Sequence, residues 1–316
     1  MIPKSNEIRF ETTTKCNYNC LPCPREKLTR KKETTSFEKF KFIFDKVTSE
    51  TDQYDTITLS GFGEPLLDPT VDEKIKYSKD KGFDVLILSN AALLSVDRFK
   101  SLEKLGVKSL RISFYGMHPE TYSKVHGINN TELFSKVKEN LVEIAKIRKS
   151  TELIFTYNII PGVNENDTDE WIEFWKDKVD LVEVWKPHNW VYGRDYRPIQ
   201  KEKVKTCGRP WTTPLQIQAD GTVVMCCFDF DGRLLLGDLN TQSLKEIFSS
   251  EPFLTIEKCH KTGDFEGKNL ICEYCDQRNK DKSDVMVYNS KFKISDRVGK
   301  ASTIYTDFVE KEEKVA

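Results

Sequence analysis

Between residues 7 and 185, short runs rich in apolar and β-branched side chains alternate with stretches whose apolar residues recur at helical spacing. That alternation confines the chain to an α/β fold built from right-handed βαβ units. Strands are expected at Ile8 and Phe10 and over 55–60, 83–88, 109–114, 153–157 and 181–185. Helices are expected behind a Thr35/Ser36 cap, where Phe37, Phe40, Phe44 and Val47 share one face, and over 71–81, 96–105, 132–147 and 169–176. The nearly continuous apolar run 83–88 predicts burial on both faces, as in a parallel sheet. Six such units can curve into an open partial barrel or lie in a doubly wound sheet, and periodicity alone does not choose.

Cys16, Cys20 and Cys23 fall within eight residues, on the loop that leaves the first strand at its C-terminal end. This is where α/β folds build their sites. Clustered thiolates suit a soft metal or an iron-sulfur cluster. Asn17, Tyr18, Asn19 and Pro22 are poor fourth ligands, and the first histidine is His118. Three protein ligands on a four-iron cluster leave one iron open, which marks a catalytic site. The plainer alternative is an incomplete zinc knuckle or three unrelated thiols.

Composition narrows the partners. Charged residues make up 31% of the chain with both signs mixed, and the formal net charge is -1. No nucleic-acid footprint is expected from that balance. No apolar stretch reaches the length of a membrane span and the first residues lack a signal-peptide core, so no membrane association and a cytoplasmic location are expected. Nine cysteines in such a compartment favour metal or cluster ligation over disulfides.

The spacing C-x-x-x-C-x-x-C resembles the signature of the radical S-adenosylmethionine enzymes. The resemblance implies a partial (β/α)6 barrel and a 4Fe-4S cluster on Cys16, Cys20 and Cys23, its free iron chelated by the amino and carboxylate groups of S-adenosylmethionine. Pro22 departs from the large apolar residue usual before the third cysteine. The run Ser60-Gly61-Phe62-Gly63-Glu64-Pro65 resembles the family's Gly-Gly-Glu-Pro motif with Phe62 inserted. Its paired glycines let backbone approach a ligand and Glu64 can accept from an ammonium. The resemblance implies that Gly61, Gly63 and Glu64 grip the amino end of S-adenosylmethionine. It also implies ribose and carboxylate contacts at Ser89, Asn90 and Ser113, although a helix cap is equally good chemistry for such residues. Adenine is implied near Asn158 and the 160–164 loop.

Beyond the sixth strand lie His188 and Arg194, expected at the site's rim with catalytic roles; a packed histidine is the alternative. Near residue 200 the texture changes. A hairpin is expected from 215–218 through Asp220-Gly221 into 222–227, followed by a helix over 243–248, and the remaining cysteines are Cys207, Cys226, Cys227, Cys259, Cys272 and Cys275. Cys272-Glu273-Tyr274-Cys275 alone fits a zinc ribbon or an iron-sulfur site. Resemblance to the SPASM/Twitch extension selects Cys207, Cys226, Cys272 and Cys275 as the ligands of one auxiliary 4Fe-4S cluster of the shorter Twitch type.

The expected organisation is a radical S-adenosylmethionine barrel over 1–200, a small cysteine-rich Twitch/SPASM domain over 201–285 and a charged, frayed tail over 286–316. The resemblance implies two 4Fe-4S clusters, S-adenosylmethionine and an external low-potential electron donor of the flavodoxin or ferredoxin type. A 5'-deoxyadenosyl radical would remove hydrogen from a small molecule such as a sugar, amino sugar or cyclitol. A fully ligated auxiliary cluster would then accept an electron, giving dehydrogenation. Epimerisation and peptide maturation are the other outcomes, and a non-catalytic metal-binding protein is the reading from a different class.

Overall fold

The computed structural model describes residues 2–280 and 286–290. The six expected strands form as β1 (Glu7–Phe10), β2 (Thr56–Leu59), β3 (Asp84–Ser89), β4 (Ser109–Ser113), β5 (Glu152–Asn158) and β6 (Leu181–Trp185). Each pairs in parallel with the next in sequence, so the order never reverses. A doubly wound sheet needs a reversal, so the arc of a partial barrel is the architecture formed.

The connecting helices are α1 (Phe37–Glu50), α2 (Val71–Asp80), α3 (Val96–Lys104), α4 (Pro119–His126), α5 (Glu132–Ile147) and α6 (Thr168–Trp175). Helix α1 starts as expected, with the Ser36 hydroxyl accepting from the Lys39 N–H, and it buries Phe40, Ile43, Phe44 and Val47 against the sheet. Helix α4 is not foreshadowed by the periodicity. It begins on Pro119 and stops at Gly127, whose φ of 60° is the left-handed cap conformation.

The downstream segment adds α7 (Arg209–Thr212), β7 (Leu215–Ile217), β8 (Thr222–Val224), β9 (Leu235–Asp238), α8 (Leu244–Ile247) and α9 (Glu251–Thr262). The expected hairpin is β7 and β8, and β7 also pairs in parallel with β1. The cysteine-rich part is therefore continuous with the barrel sheet. Strand β10 (Met286–Asn289) pairs antiparallel with β6, where a frayed tail was expected to begin; the remainder of that tail lies outside the described residues.

Burial on β3 also departs from expectation. Val85 and Ile87 are fully buried beneath the helices, whereas Leu88 is 36% exposed. Its face opens on the cavity inside the arc. An apolar run reports the covered face of a barrel strand and cannot show that the other face is hollow.

Beneath α2, Lys74 is completely buried and ion-paired with the equally buried Asp68 at 2.5 Å. Lys74 also donates to the Thr35 carbonyl, while Asp68 accepts from the Thr70 N–H and hydroxyl. Removing one partner strands the other charge. Lys74→Ala is expected to cost about 3–5 kcal/mol in urea unfolding, and adding Asp68→Leu to recover most of that loss.

Candidate active site and cysteine loops

The loop 15–24 forms no ladder of its own, so its backbone groups must be satisfied from elsewhere. The Asn19 and Leu21 N–H groups donate to the His126 and Val125 carbonyls at the C-terminal end of α4, at 3.1 and 2.8 Å. A Cβ at Gly127 would collide with the Asn19 carbonyl, so glycine is required there for close approach as well as for its backbone angle. The Lys15 carbonyl accepts from the Glu64 N–H at 2.8 Å.

Carbonyls on the other side of the loop are held by the segment after β6. Trp190 Nε1 donates to Pro22 O at 2.7 Å, Arg194 Nε to Leu21 O at 2.7 Å, and the Tyr196 hydroxyl to Leu21 O at 2.9 Å. Arg194 Nη2 donates to Cys23 O, and the guanidinium is ion-paired with Glu26. Arg194, expected at the substrate rim, thus sits behind the cysteine loop and does not line the cavity. The segment reaches the second cysteine set too, because Arg197 Nη1 donates to Asp276 Oδ2 at 3.0 Å, beside Cys275. Trp190 and Val191 hold φ values of 49° and 62°, uncommon for such residues, at the turn between these anchor points.

Inside the arc, Gly61, Gly63, Glu64, Ser89, Asn90, Ser113 and Asn158 come together on one cavity with Cys16, Cys20 and Cys23. Glu64 is buried and accepts from Asn90 N, Ser89 Oγ and Leu66 N at 2.7, 2.9 and 3.1 Å. Loss of hydration nevertheless pushes its carboxyl up to about 7. Asn90 Nδ2 donates to Asn17 Oδ1 at 2.9 Å, tying the end of β3 to the cysteine loop. Gly63 lies against the Thr13 and Lys15 carbonyls where no Cβ would fit. Ser113 Oγ accepts from the Tyr115 hydroxyl at 3.0 Å. The buried Asn158 Oδ1 has no protein partner, leaving an acceptor for a ligand.

The thiols suit cationic iron. Burial pushes Cys23 up to about 11 and Cys20 well above the usual thiol range, so without a compensating cation these sulfurs would stay protonated. The donor set and the orphaned Asn158 acceptor together fit a thiolate-held cluster with a polar cofactor beside it.

The cavity has a volume of about 570 Å³ and runs from the first cysteine set to Cys207 and Cys226. Behind that wall, Cys207, Cys226, Cys272 and Cys275 face a second, smaller pocket. Cys227 is turned away from this pocket into the large cavity, where Arg209 Nη1 lies 3.7 Å from its sulfur. Cys259 is buried in α9 and lines neither. His188 lines the large cavity, its Nδ1 3.2 Å from Gln277 Nε2, and burial pushes the imidazole down to about 4. Sequence patterning gave no sign of Arg9, Arg111, Gln216 and Gln218, which also line it, because alternation marks which face a residue is on but not what that face meets.

An arc of parallel strands with three cysteines on its first loop and a cysteine pocket walled off beside the same cavity defines an α/β barrel with an appended cysteine-rich segment. The Radical SAM superfamily model matches residues 10–174, and the SPASM model, an iron-sulfur cluster-binding domain, matches 207–276. The chain belongs to the radical SAM superfamily and carries a SPASM iron-sulfur domain.

Among curated relatives, it is 30% identical to an uncharacterized protein of Methanocaldococcus jannaschii over 50% of this chain, spanning about half of that protein, 49% of its length. It is 26% identical to the AdoMet-dependent heme synthase of Methanosarcina barkeri, over 84% of this chain and 88% of that one. In structure it is similar to BtrN in complex with AdoMet and 2-DOIA, with a TM-score of 0.58 and 18% identity, over 87% of this chain and 94% of that one. Among the described residues, no helix is long and apolar enough to cross a membrane.

Two outcomes follow from this geometry. Arg194→Gln removes charge-assisted bonds worth about 1.5–3 kcal/mol each, so the first cysteine site should lose iron to a chelator roughly ten to a hundred times faster. The raised Glu64 carboxyl would make the affinity of an ammonium-bearing ligand seated against it pH-dependent. An ammonium-bearing ligand needs the carboxylate, so its affinity should fall about tenfold per unit below pH 7, read by calorimetry with S-adenosylmethionine. In the ligand-free chain, the Glu64 carboxyl is raised from 4.5 to about 7, so its stabilisation is complete below 4.5 and lost as pH rises through 7. Glu64→Gln should flatten that part of a melting-temperature profile.

Proposed function

We propose that this chain oxidises a small polyhydroxylated molecule, a sugar, amino sugar or cyclitol, by two electrons. The observation that carries the reading is the shared cavity: Cys207 and Cys226 stand on the wall of the same space as Cys16, Cys20 and Cys23. A substrate bound there lies between a site of hydrogen removal and a site of electron acceptance. Its volume of about 570 Å³ is in the range of small-molecule sites.

S-adenosylmethionine, cleaved reductively at the first cluster, supplies the 5'-deoxyadenosyl radical that removes a hydrogen atom. Glu64 would hold its ammonium, Gly61 and Gly63 would admit it close to backbone, Ser89, Asn90 and Ser113 would serve the ribose and carboxylate, and Asn158 Oδ1 would offer an acceptor to the adenine. His188 is neutral near pH 7, and an amide N–H donated from Gln277 to Nδ1 leaves the proton on Nε2. It holds a substrate hydroxyl by donating that proton to the hydroxyl oxygen, and the hydroxyl's own proton passes to solvent as the carbon gives up its second electron, whereas Arg194 positions the cysteine loop. Cys207, Cys226, Cys272 and Cys275 would hold one 4Fe-4S cluster, and such a cluster, with all four irons ligated, would supply an acceptor for the second electron. The working division is a barrel over 1–200 and an auxiliary segment over 201–285, in a cytoplasmic enzyme reduced by a flavodoxin or ferredoxin.

A second reading, redox-neutral epimerisation, is favoured by Cys227, a thiol on the large cavity and outside the four-cysteine pocket. The test is turnover of a sugar and cyclitol panel with anaerobically reconstituted protein, followed by 5'-deoxyadenosine release and product mass. A product two hydrogens lighter, lost in Cys272→Ala/Cys275→Ala while S-adenosylmethionine cleavage persists, is the expected result. A product with the substrate's mass in ordinary water and one unit heavier in deuterium oxide, lost in Cys227→Ser, would establish epimerisation instead.

A further inference from the structure

Helix α4 ends on His126, completely buried and enclosed by three tyrosine rings. Its ring is stacked on Tyr115 at 5.1 Å with an interplanar angle of 9°, and packed by Tyr122 at 4.3 Å and Tyr18 at 5.1 Å. The Tyr18 and Tyr122 hydroxyls are bonded to each other at 3.0 Å, which locks two walls of this box. The imidazole therefore has one orientation, and its two nitrogens have fixed partners. Nε2 lies 3.2 Å from the backbone nitrogen of Tyr115, and Nδ1 lies 3.3 Å from Sγ of Cys20.

These contacts determine the tautomer. A backbone N–H can only donate, so Nε2 must be an acceptor and carries no proton. The single proton of the neutral ring is then on Nδ1, directed at the sulfur. A doubly protonated ring would set two N–H groups against each other at Tyr115. The same residue also accepts the Asn19 N–H through its carbonyl at 3.1 Å, so His126 grips the cysteine loop from backbone and side chain together.

We propose that His126 is a positioning residue for the first cluster, donating an Nδ1–H···S bond to Cys20 that draws charge from this thiolate and makes the cluster easier to reduce. Hydrogen bonds to cluster sulfurs are among the features that set reduction potential, and outer partners that orient and tune ligands are a general device of metal sites. Cys16 and Cys23 differ from Cys20 here: Cys16 Sγ faces the amide Nδ2 of Asn90 at 3.7 Å, on the cavity side. Cys20 alone of the three is backed by an imidazole, so the effect falls on one iron of the cluster. The inference rests on family membership and the cysteine loop, and is independent of which substrate is oxidised.

The experiment is an EPR-monitored redox titration of the full chain after anaerobic reconstitution, read on the reduced signal that responds to S-adenosylmethionine. In His126→Phe the reduction equilibrium should be about tenfold less favourable, a midpoint ~59 mV lower for one electron. Cys259→Ala, in α9 and away from both cysteine pockets, should titrate like the parent. A His126→Phe protein that retains its iron and keeps the parent midpoint overturns the proposal. Because that variant can fail to take up the cluster, the parent is also labelled with ¹⁵N-histidine and studied by pulsed EPR. A ¹⁵N coupling on the S-adenosylmethionine-responsive signal is expected, and its absence overturns the proposal without any substitution.

Discussion

The rest of the molecule is arranged around the need to satisfy the backbone of a ten-residue loop that must keep three sulfurs on one side. A loop of this kind cannot pair with itself, and burying its amides unpaired would cost more than the loop's own contacts return. Donors are taken by the C-terminal carbonyls of α4, where unused acceptors are always present at a helix end. Acceptors are taken by Trp190, Arg194 and Tyr196, side chains long enough to reach across from another strand's exit loop. Both supports come from elements whose positions the parallel sheet determines, so the geometry of the sulfurs follows from the register of the strands.

That dependence explains what could be read from the sequence. Strand positions were legible because Ile57, Leu59, Val85, Ile87, Leu110 and Ile112 must all point at covering helices, and period-two patterning records that directly. That Cys16, Cys20, Cys23 and Glu64 would meet on one cavity was legible because few residue types offer such ligands and all follow strand ends. Helix α4 was not, since eight residues hold only two turns of periodicity and its sequence, Pro119 to His126, mixes polar and apolar positions. Nor was the burial of His126 or the placement of Arg194, which depend on contacts between residues more than a hundred positions apart. His126 meets Cys20 across a separation of 106, and Arg194 meets Leu21 across 173. Spacing along a chain carries no information about such meetings.

The segment after β6 links the two cysteine sets mechanically as well as spatially. Its near end holds the carbonyls of residues 21, 22 and 23, and its far end, through Arg197, holds Asp276. Left-handed backbone at Trp190 and Val191 costs of order 1–3 kcal/mol each, and it lets one short stretch face both anchors. The parallel pairing of β7 with β1 provides the second connection between the two regions. With two independent ties the distance between the cysteine sets is fixed by the fold.

The order of these parts along the chain has a consequence for how the protein is made. The three thiols leave the ribosome before everything that seats them: Gly127 follows roughly a hundred residues later and the Trp190 to Arg197 support roughly 170 later. At ~5–20 residues per second the loop is without its seat for about five to twenty seconds and without its clamp for about ten to thirty. Iron and sulfide delivered in that interval would meet a flexible trithiol with no fixed geometry. The full support of the three sulfurs exists only once the sixth strand and its exit loop have been translated.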